Sequence, residues 1–160
     1  MKMKTLQIRW QRLVNEQGET CDRCGTTETA VEEAMQKLKR SVKELEINVI
    51  LEKSTLNPST FKEAPLESNR IWIADKPLED WLSATINQSQ CSAACGDSSC
   101  RTVEVDGKTY EAIPPELIVK AGLLASAQLL DGEPQSGCSS TASKPQATNG
   151  CYPASSGCGK

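Results

Sequence analysis

The N-terminal third of the chain changes its hydrophobic period twice, and this constrains the fold more than any other feature. Leu6, Ile8 and Trp10 alternate with polar residues, the period of a strand with one buried face. Apolar residues then recur at spacings of four and three, the stripe of a packed helix: Val31, Met35, Leu38, Val42 and Leu45. A β-branched run at 47–51 predicts a strand covered on both faces. The order β-α-β predicts a parallel strand pair with a right-handed crossover.

The helix of this unit has two candidate starts. Thr29 followed by Glu32 has the spacing of a capping box, whereas a start near Cys21 gives a longer helix. Farther along, "NPSTF" predicts a short helix or turn around 58–64, "NRIWIAD" a third strand, and "KPLEDWL" a brief helix that returns Leu78, Trp81 and Leu82 to the core.

The C-terminal half predicts a hairpin and a helix. "RTVEVDGKTYEAI" suits two strands joined by a tight turn at Asp106 and Gly107. "PPELIVKAGLLASAQLL" suits a helix opened by proline, whose packed positions are Leu117, Ile118, Ala121, Leu124 and Ala125. The fold class predicted is therefore α/β.

The division into domains follows from composition. Residues 131–160 hold Tyr152 as their only large apolar side chain, so this segment cannot bury enough surface to fold alone. We expect one folded domain over 1–130 and a flexible, disordered Gly/Ser/Cys tail over 131–160. The tail repeats Gly-Cys three times, at Cys138, Cys151 and Cys158.

Charge and composition exclude some classes of function. The formal net charge is −3 and there are six aromatic residues, which argues against nucleic acid as the main partner. The N-terminal lysines have no apolar run behind them, so we expect neither a signal peptide nor a membrane span. A cytoplasmic protein is predicted, and its eight cysteines are then expected to be mostly reduced.

Cys21 and Cys24 form a C-x-x-C pair between a predicted strand and a predicted helix. The free backbone N–H groups and the dipole of a helix N-terminus favour a thiolate, and Arg23 adds a positive charge. A C-x-x-C in a β-α-β unit is typical of thioredoxin-like redox sites. The alternative is two small buried residues in a loop.

A second group, "CSAACGDSSCR", has Cys91, Cys95 and Cys100 in a loop of small and polar residues. The chain has no histidine, so a soft-metal site must be built from thiolates. If this loop folds over the helix start, five thiols converge as metal ligands: Cys21, Cys24, Cys91, Cys95 and Cys100. Thiolates select zinc, copper(I), iron–sulfur clusters and similar thiophilic ions over magnesium or calcium. A disulfide or an idle reduced loop is the alternative.

Other features complete the candidate site. Arg101 either balances the negative charge of the thiolates or is an ordinary solvated arginine. The tail cysteines Cys138, Cys151 and Cys158 are predicted auxiliary thiols that capture an ion and pass it to the folded site, or else accidental residues of a linker. The scattered glycines form no phosphate-binding loop, and no organic cofactor is predicted.

Three stretches together resemble a cysteine-rich bacterial and archaeal domain family of unknown function that is thioredoxin-like: "IRWQRLV" with "GETCDRCG", "PLESNRIWIADKPLEDWL", and "CGDSSCRTVEVDGKTYEAIPPELIVKAGLLA". The resemblance spans about residues 4–130 and implies a thioredoxin-like fold, with Cys21 and Cys24 at the C-x-x-C position. It also implies a cis-proline before the third strand, where this chain has Glu67, Ser68, Asn69 and Arg70. In thioredoxin-like proteins this proline shields the dithiol from metals, so its replacement favours ion binding.

These observations lead to one functional hypothesis and two alternatives. The first is thiolate-based binding or transfer of a thiophilic metal or metalloid ion, zinc among them. The second is a dithiol-disulfide oxidoreductase that acts on a thiol or disulfide partner protein, in which Cys21, as the more exposed cysteine, attacks and Cys24 resolves. The third is an interaction module with a closed structural zinc site. Whether the protein is an enzyme stays open at this point.

Overall fold

Two β-sheets and four α-helices make up the part of the chain that the computed structural model describes, residues 3–91 and 99–132. The strands are β1 (Lys4–Leu13), β2 (Ile47–Leu56), β3 (Arg70–Ile73), β4 (Lys76–Pro77), β5 (Thr85–Gln90), β6 (Ser99–Val105) and β7 (Lys108–Tyr110). The α-helices are α1 (Asp22–Ser41), α2 (Pro58–Glu63), α3 (Leu78–Leu82) and α4 (Pro115–Asp131), with 3-10 turns at Lys43–Leu45 and Pro65–Glu67. The predicted α/β class is confirmed.

The four-stranded sheet has the order β2-β1-β3-β4. Strand β1 pairs in parallel with β2 from Lys4 opposite Ile47 to Leu13 opposite Leu56, which confirms the predicted parallel pair. Strands β3 and β4 continue the sheet in antiparallel fashion. The prediction that both faces of β2 are covered is wrong, because helix α1 packs on the face of Ile47 and Val49, whereas Ile50 on the other face is 40% exposed.

Helices α1 and α4 contact each other and pack on this sheet. Leu6, Ile8 and Trp10 of β1 are fully buried, as their alternation predicts. The two helices approach closely, because a Cβ atom placed on Gly122 would lie 2.5 Å from Cδ1 of Leu38. The predicted packing of α4 needs one correction, since Leu124 is 43% exposed.

The second sheet is antiparallel and has the order β5-β6-β7. The predicted hairpin turn is present, and Asp106 and Gly107 adopt the positive φ angles, 52° and 77°, that such a turn requires. Strand β5 is not predicted by the sequence pattern, because Ile86 is its only apolar residue. Its pairing with β6 runs from Thr85 opposite Glu104 to Gln90 opposite Ser99.

The structure decides between the two predicted starts of the first helix. Helix α1 begins at Asp22 with Cys21 as its N-cap residue, the earlier of the two starts, and Thr29 lies well inside it. Helix α4 ends at Asp131. The predicted tail over 131–160 lies almost wholly outside the described residues. Within 3–91 and 99–132, no helix combines the length and the apolar character needed to cross a bilayer.

Candidate thiol site

Three cysteine sulfurs from distant parts of the chain meet in the interior. The Sγ atoms of Cys21, Cys91 and Cys100 all lie within 4.8 Å of one another. The three side chains are only 3%, 8% and 3% exposed, respectively. This cluster joins the start of α1 to the end of the second sheet where β5 finishes and β6 begins.

Cys21 is positioned by the turn that follows β1 and by the first turn of α1. Thr20 donates a hydrogen bond of 2.8 Å to the carbonyl of Leu13, and the carbonyl of Cys21 accepts one of 2.9 Å from the N–H of Gly25. As the N-cap of a helix of 20 residues, Cys21 lies at its positive end. The N–H groups of the first helical turn, which have no carbonyl partner within the helix, lie at this end.

Cys91 and Cys100 are brought together by the ladder between β5 and β6. Cys100 lies opposite Ser89, and Cys91 follows Ser89 by two residues, so the alternation of side chains gives them the same face. The antiparallel pairing therefore brings the sulfurs of Cys91 and Cys100 close together, although the two residues are well separated in the chain.

Arg23 ties this end of the second sheet to helix α1. Its guanidinium donates hydrogen bonds to the carbonyls of Gln90 at 2.7 Å and Ser89 at 3.4 Å, and it forms an ion pair of 2.7 Å with Glu111. The sequence suggested only a positive charge beside the thiols. In the structure that charge is paired with a carboxylate, and the side chain holds the residues that precede Cys91.

Cys24 is buried beside the cluster, with 1% exposure. A hydrogen bond with Cys21, burial, and the negative charge of an ionised Cys21 together raise the pKa of Cys24 far above its ordinary value. Its Sγ also lies 3.7 Å from Oγ of Ser68. Cys24 therefore stays a thiol near neutral pH and acts as a hydrogen-bond partner of Cys21.

Ser68 and Asn69 occupy the place where the resemblance implies a proline. Ser68 accepts a hydrogen bond of 3.3 Å from the N–H of Leu13, and its hydroxyl faces Cys24. The described residues contain no cis peptide bond. A buried serine, 1% exposed, therefore stands beside the C-x-x-C pair.

A buried polar chain supports this region. The indole of Trp10 donates to Oδ1 of Asn69 at 3.1 Å, and the amide of Asn69 donates to Oγ1 of Thr27 at 3.1 Å. Thr27 also accepts from the N–H of Ile113 at 3.1 Å. This chain connects β1, the start of β3, α1 and the segment before α4, and so fixes the start of α1 relative to both sheets.

Both interpretations of Arg101 from the sequence are wrong. The residue is 5% exposed, so it is not solvated. Its guanidinium forms an ion pair with Glu79 and donates a hydrogen bond of 3.0 Å to the carbonyl of Leu66. Because consecutive residues of β6 point to opposite faces, Arg101 is directed away from the side that holds Cys100.

The predicted ligands thus divide into three sets. Cys21, Cys91 and Cys100 form the cluster, and Cys24 lies next to it. Cys95 and the auxiliary thiols Cys138, Cys151 and Cys158 lie outside the described residues. Sequence reasoning missed Ser68, and it missed β5, which places Cys91. The only indication in the sequence that Ser68 lies beside the thiols was its place where the resemblance implies a proline.

The fold and the cysteines define a mixed α/β domain with a buried thiol cluster. A family described as "Domain of unknown function (DUF2703)" matches residues 6–122, and the chain belongs to this family. A protein of Archaeoglobus fulgidus, described as "Uncharacterized protein", is 39% identical over 113 residues, which cover 71% of this chain and 82% of that protein. No solved structure matches the chain at a significant level. The resemblance to a bacterial and archaeal family of unknown function is confirmed.

Proposed function

We propose that this protein binds a thiophilic metal or metalloid ion through the thiolates of Cys21, Cys91 and Cys100. The observation that carries the proposal is the approach of these three buried sulfurs to within 4.8 Å of one another. Buried cysteines that serve only as small apolar residues have no need to converge from three separate segments. The cluster contains sulfur donors alone, which favours soft ions over magnesium or calcium.

The size of the cluster fits an ion after a small contraction. Metal–sulfur bonds of about 2.3 Å at tetrahedral angles place two sulfurs about 3.8 Å apart. The upper limit of 4.8 Å therefore requires a sulfur to move by about 1 Å at most. Cys21 is the N-cap residue of α1 and Cys91 follows the last residue of β5, so a shift of this size at either position breaks no helix or strand.

We further infer that the first sheet with α1 and α4 is a thioredoxin-like unit. Support comes from the parallel β1–β2 pair, the antiparallel β3 and β4, and the Cys-x-x-Cys pair at the start of α1. The second sheet enters between α3 and α4 and supplies Cys91 and Cys100. On this interpretation, an added sheet turns a dithiol position into a site with three thiols.

A second candidate function is dithiol-disulfide exchange by Cys21 and Cys24. The hydrogen bond between the two side chains favours it, because a neighbouring thiol can resolve a mixed disulfide. Cys21 is slightly more exposed than Cys24, as the sequence-based hypothesis expects, but both thiols are buried, at 3% and 1% exposure. An attacking thiol needs access to its partner, so burial favours ion binding over exchange with a protein.

The test is elemental analysis of protein purified without oxygen, with free thiols counted before and after treatment with a chelator. We expect bound metal or metalloid in the wild type and its loss in Cys91→Ser. Cys24→Ser is the matched control, because it removes a buried thiol beside the cluster but leaves the three sulfurs. A reducible Cys21–Cys24 disulfide that turns over with a thiol donor, unaffected by chelators, would favour the oxidoreductase instead.

The tail cysteines Cys138, Cys151 and Cys158 remain proposed auxiliary thiols that deliver or collect the ion. Replacing all three by serine should slow loading from an ion–thiol complex while the final occupancy stays the same. Unchanged loading would remove the tail from the proposal. If metal removal instead unfolds the domain, the closed structural zinc module becomes the better description.

A further inference from the structure

The length of strand β1 separates the thiol cluster from the point where the tail begins. At the end of β1, the carbonyl of Leu13 accepts a hydrogen bond from Thr20, the residue before Cys21. At the start of β1, the ammonium group of Lys4 donates a hydrogen bond to the carbonyl of Leu129 in the last turn of α4. A strand of ten residues, at about 3.3 Å per residue, is about 30 Å long. The cluster and the end of α4 therefore lie at opposite ends of the domain.

The course of α4 gives the same separation independently. The segment before α4 lies near the start of α1, because the N–H of Ile113 donates a hydrogen bond of 3.1 Å to Oγ1 of Thr27. Farther along, Gly122 lies against Leu38, so both helices run away from the thiol end. The 17 residues of α4 rise about 25 Å, at 1.5 Å per residue. Because Thr27 is itself six residues past Cys21, the end of α4 lies about 30 Å from the cluster.

The number of residues between α4 and each tail cysteine limits what that cysteine can reach. The described chain ends at Gly132, and an extended chain spans at most about 3.3 to 3.6 Å per residue. Cys138 is six residues beyond Gly132, so it extends about 20 to 22 Å and falls short of the cluster. A route around the domain surface is longer than the straight line, which widens the shortfall.

The other two tail cysteines are not limited in this way. Cys151 is 19 residues beyond Gly132 and Cys158 is 26 residues beyond it, so both limits exceed about 60 Å. These limits follow from covalent geometry and hold for any conformation of the tail.

We propose that Cys151 and Cys158, and not Cys138, are the tail thiols that exchange an ion with the thiol cluster of the same molecule. This inference rests on the proposed function, in which the cluster binds the ion. In each step of the transfer, an ion–sulfur bond to the tail breaks as an ion–sulfur bond to the cluster forms. The proton of the cluster thiol passes to the tail sulfur. No electron is transferred, so the exchange needs no oxidant or reductant.

The experiment compares four forms of the reduced full chain without oxygen. One form keeps all three tail cysteines and one has all three replaced by serine. The Cys151 form carries Cys138→Ser and Cys158→Ser, and the Cys138 form carries Cys151→Ser and Cys158→Ser. Each is mixed with the cadmium(II) complex of nitrilotriacetate, and the cadmium–thiolate absorbance gives the rate of loading. The two single-cysteine forms are matched, because each has one tail thiol. Elemental analysis after desalting gives the final occupancy.

A second measurement tests reach without any ion. The tail thiol of each single-cysteine form is converted to a mixed disulfide with thionitrobenzoate. A cluster thiol that contacts it forms a new disulfide and releases the coloured thiolate, so that no further oxidant is needed. Peptide mass spectrometry then identifies the two cysteines joined.

We expect the Cys151 form to load at least about tenfold faster than the form without tail cysteines, because its thiol presents the ion within the same chain. The Cys138 form should load as slowly as the form without tail cysteines. An insertion of about 15 glycine and serine residues after Gly132 extends the limit of the Cys138 form to about 70 Å. This insertion should raise its rate to that of the Cys151 form. Release of thionitrobenzoate should follow the same order, and final cadmium occupancy should be equal in all forms.

Equal loading of the Cys138 and Cys151 forms without the insertion would overturn the inference, and so would an insertion that leaves the rate unchanged. A gain that disappears when the protein is diluted would assign delivery to a second copy of the chain and overturn it as well. If no tail cysteine speeds loading although cadmium is bound at the end, the inference fails and the proposed function stands. Absence of bound cadmium in every form would count against the proposed function, whereas the thionitrobenzoate rates would still decide which thiols reach the cluster.

Discussion

The guanidinium of Arg23 donates a hydrogen bond of 2.7 Å to the carbonyl oxygen of Gln90, the residue immediately before Cys91. Arg23 itself lies between the two cysteines of the C-x-x-C pair. One side chain therefore fixes the distance between the start of α1 and the end of β5. The geometry of the thiol cluster therefore depends in part on this contact, which holds the residue next to Cys91.

Arg23→Lys should weaken ion binding more than it weakens the fold. Lysine keeps the charge but cannot reach two carbonyls and Glu111 with a planar fork of donors. We expect affinity for the bound ion to fall about tenfold, as for other residues that orient ligands, and the free energy of unfolding to fall by about 1 kcal/mol. Titration calorimetry and urea denaturation measure the two effects. Arg9→Lys, at an arginine that stacks on Trp72, is the control and should leave affinity unchanged.

The stability of the reduced, ion-free protein should fall as the pH rises above about 8.5, the ordinary pKa of a cysteine. The pKa of Cys24 is raised in the folded state, so the unfolded chain loses this proton first and alkaline pH favours unfolding. For one such group, the free energy of unfolding falls by up to about 1.4 kcal/mol per pH unit. Urea denaturation between pH 7 and pH 10 measures it.

Cys24→Ser isolates this contribution, because serine does not titrate in that range. The variant should show a flatter decline above about pH 8.5 than the wild type. Identical slopes for the two proteins would show that Cys24 is not the group responsible.

Thr27→Val should destabilise the domain by about 2 to 6 kcal/mol. The change leaves two buried donors, the amide of Asn69 and the N–H of Ile113, without their acceptor, at about 1 to 3 kcal/mol each. Thr26→Val, at an exposed position of the same helix, is the matched control and should change stability by less than about 0.5 kcal/mol. Equal effects of the two substitutions in chemical denaturation would contradict a role for the buried chain.

Two helical glycines should respond to alanine with opposite signs. At Gly122 the new methyl group would lie 2.5 Å from Leu38, which is fully buried, and overpacking of about 1 to 3 kcal/mol should outweigh the gain in helix propensity. At Gly25 nothing lies within 4 Å of the new Cβ, so Gly25→Ala should stabilise by about 0.5 to 1 kcal/mol. Thermal unfolding of both variants gives the comparison.

Periodicity predicted the first sheet well because its signal is local. Leu6, Ile8 and Trp10 face a single core, so their alternation identifies both the strand and its buried side. The same logic failed for β2, where Ile50 is apolar but exposed. Whether a face of a strand is covered depends on which other elements pack on it, and the composition of the strand alone does not carry that information.

The residue types of the site could be predicted from the sequence, but which cysteines come together could not. The C-x-x-C motif and the absence of histidine indicated thiolate chemistry from the sequence. The approach of Cys91 to Cys21 depends on β5, whose polar sequence hides it, and on the contacts of Arg23. The pairing of Arg101 with Glu79 joins residues far apart in the chain, and no local pattern reports such a contact.

The meeting of Cys21 with Cys91 and Cys100 also has a mechanical consequence. An ion bonded to all three sulfurs would act as a cross-link between the helix of one sheet and the ladder of the other, closing a long stretch of chain into a loop. Loading would then raise the melting temperature, and the stabilisation would grow with the logarithm of the ratio of ion concentration to dissociation constant. The melting temperature of the domain would therefore report how much of the protein carries an ion.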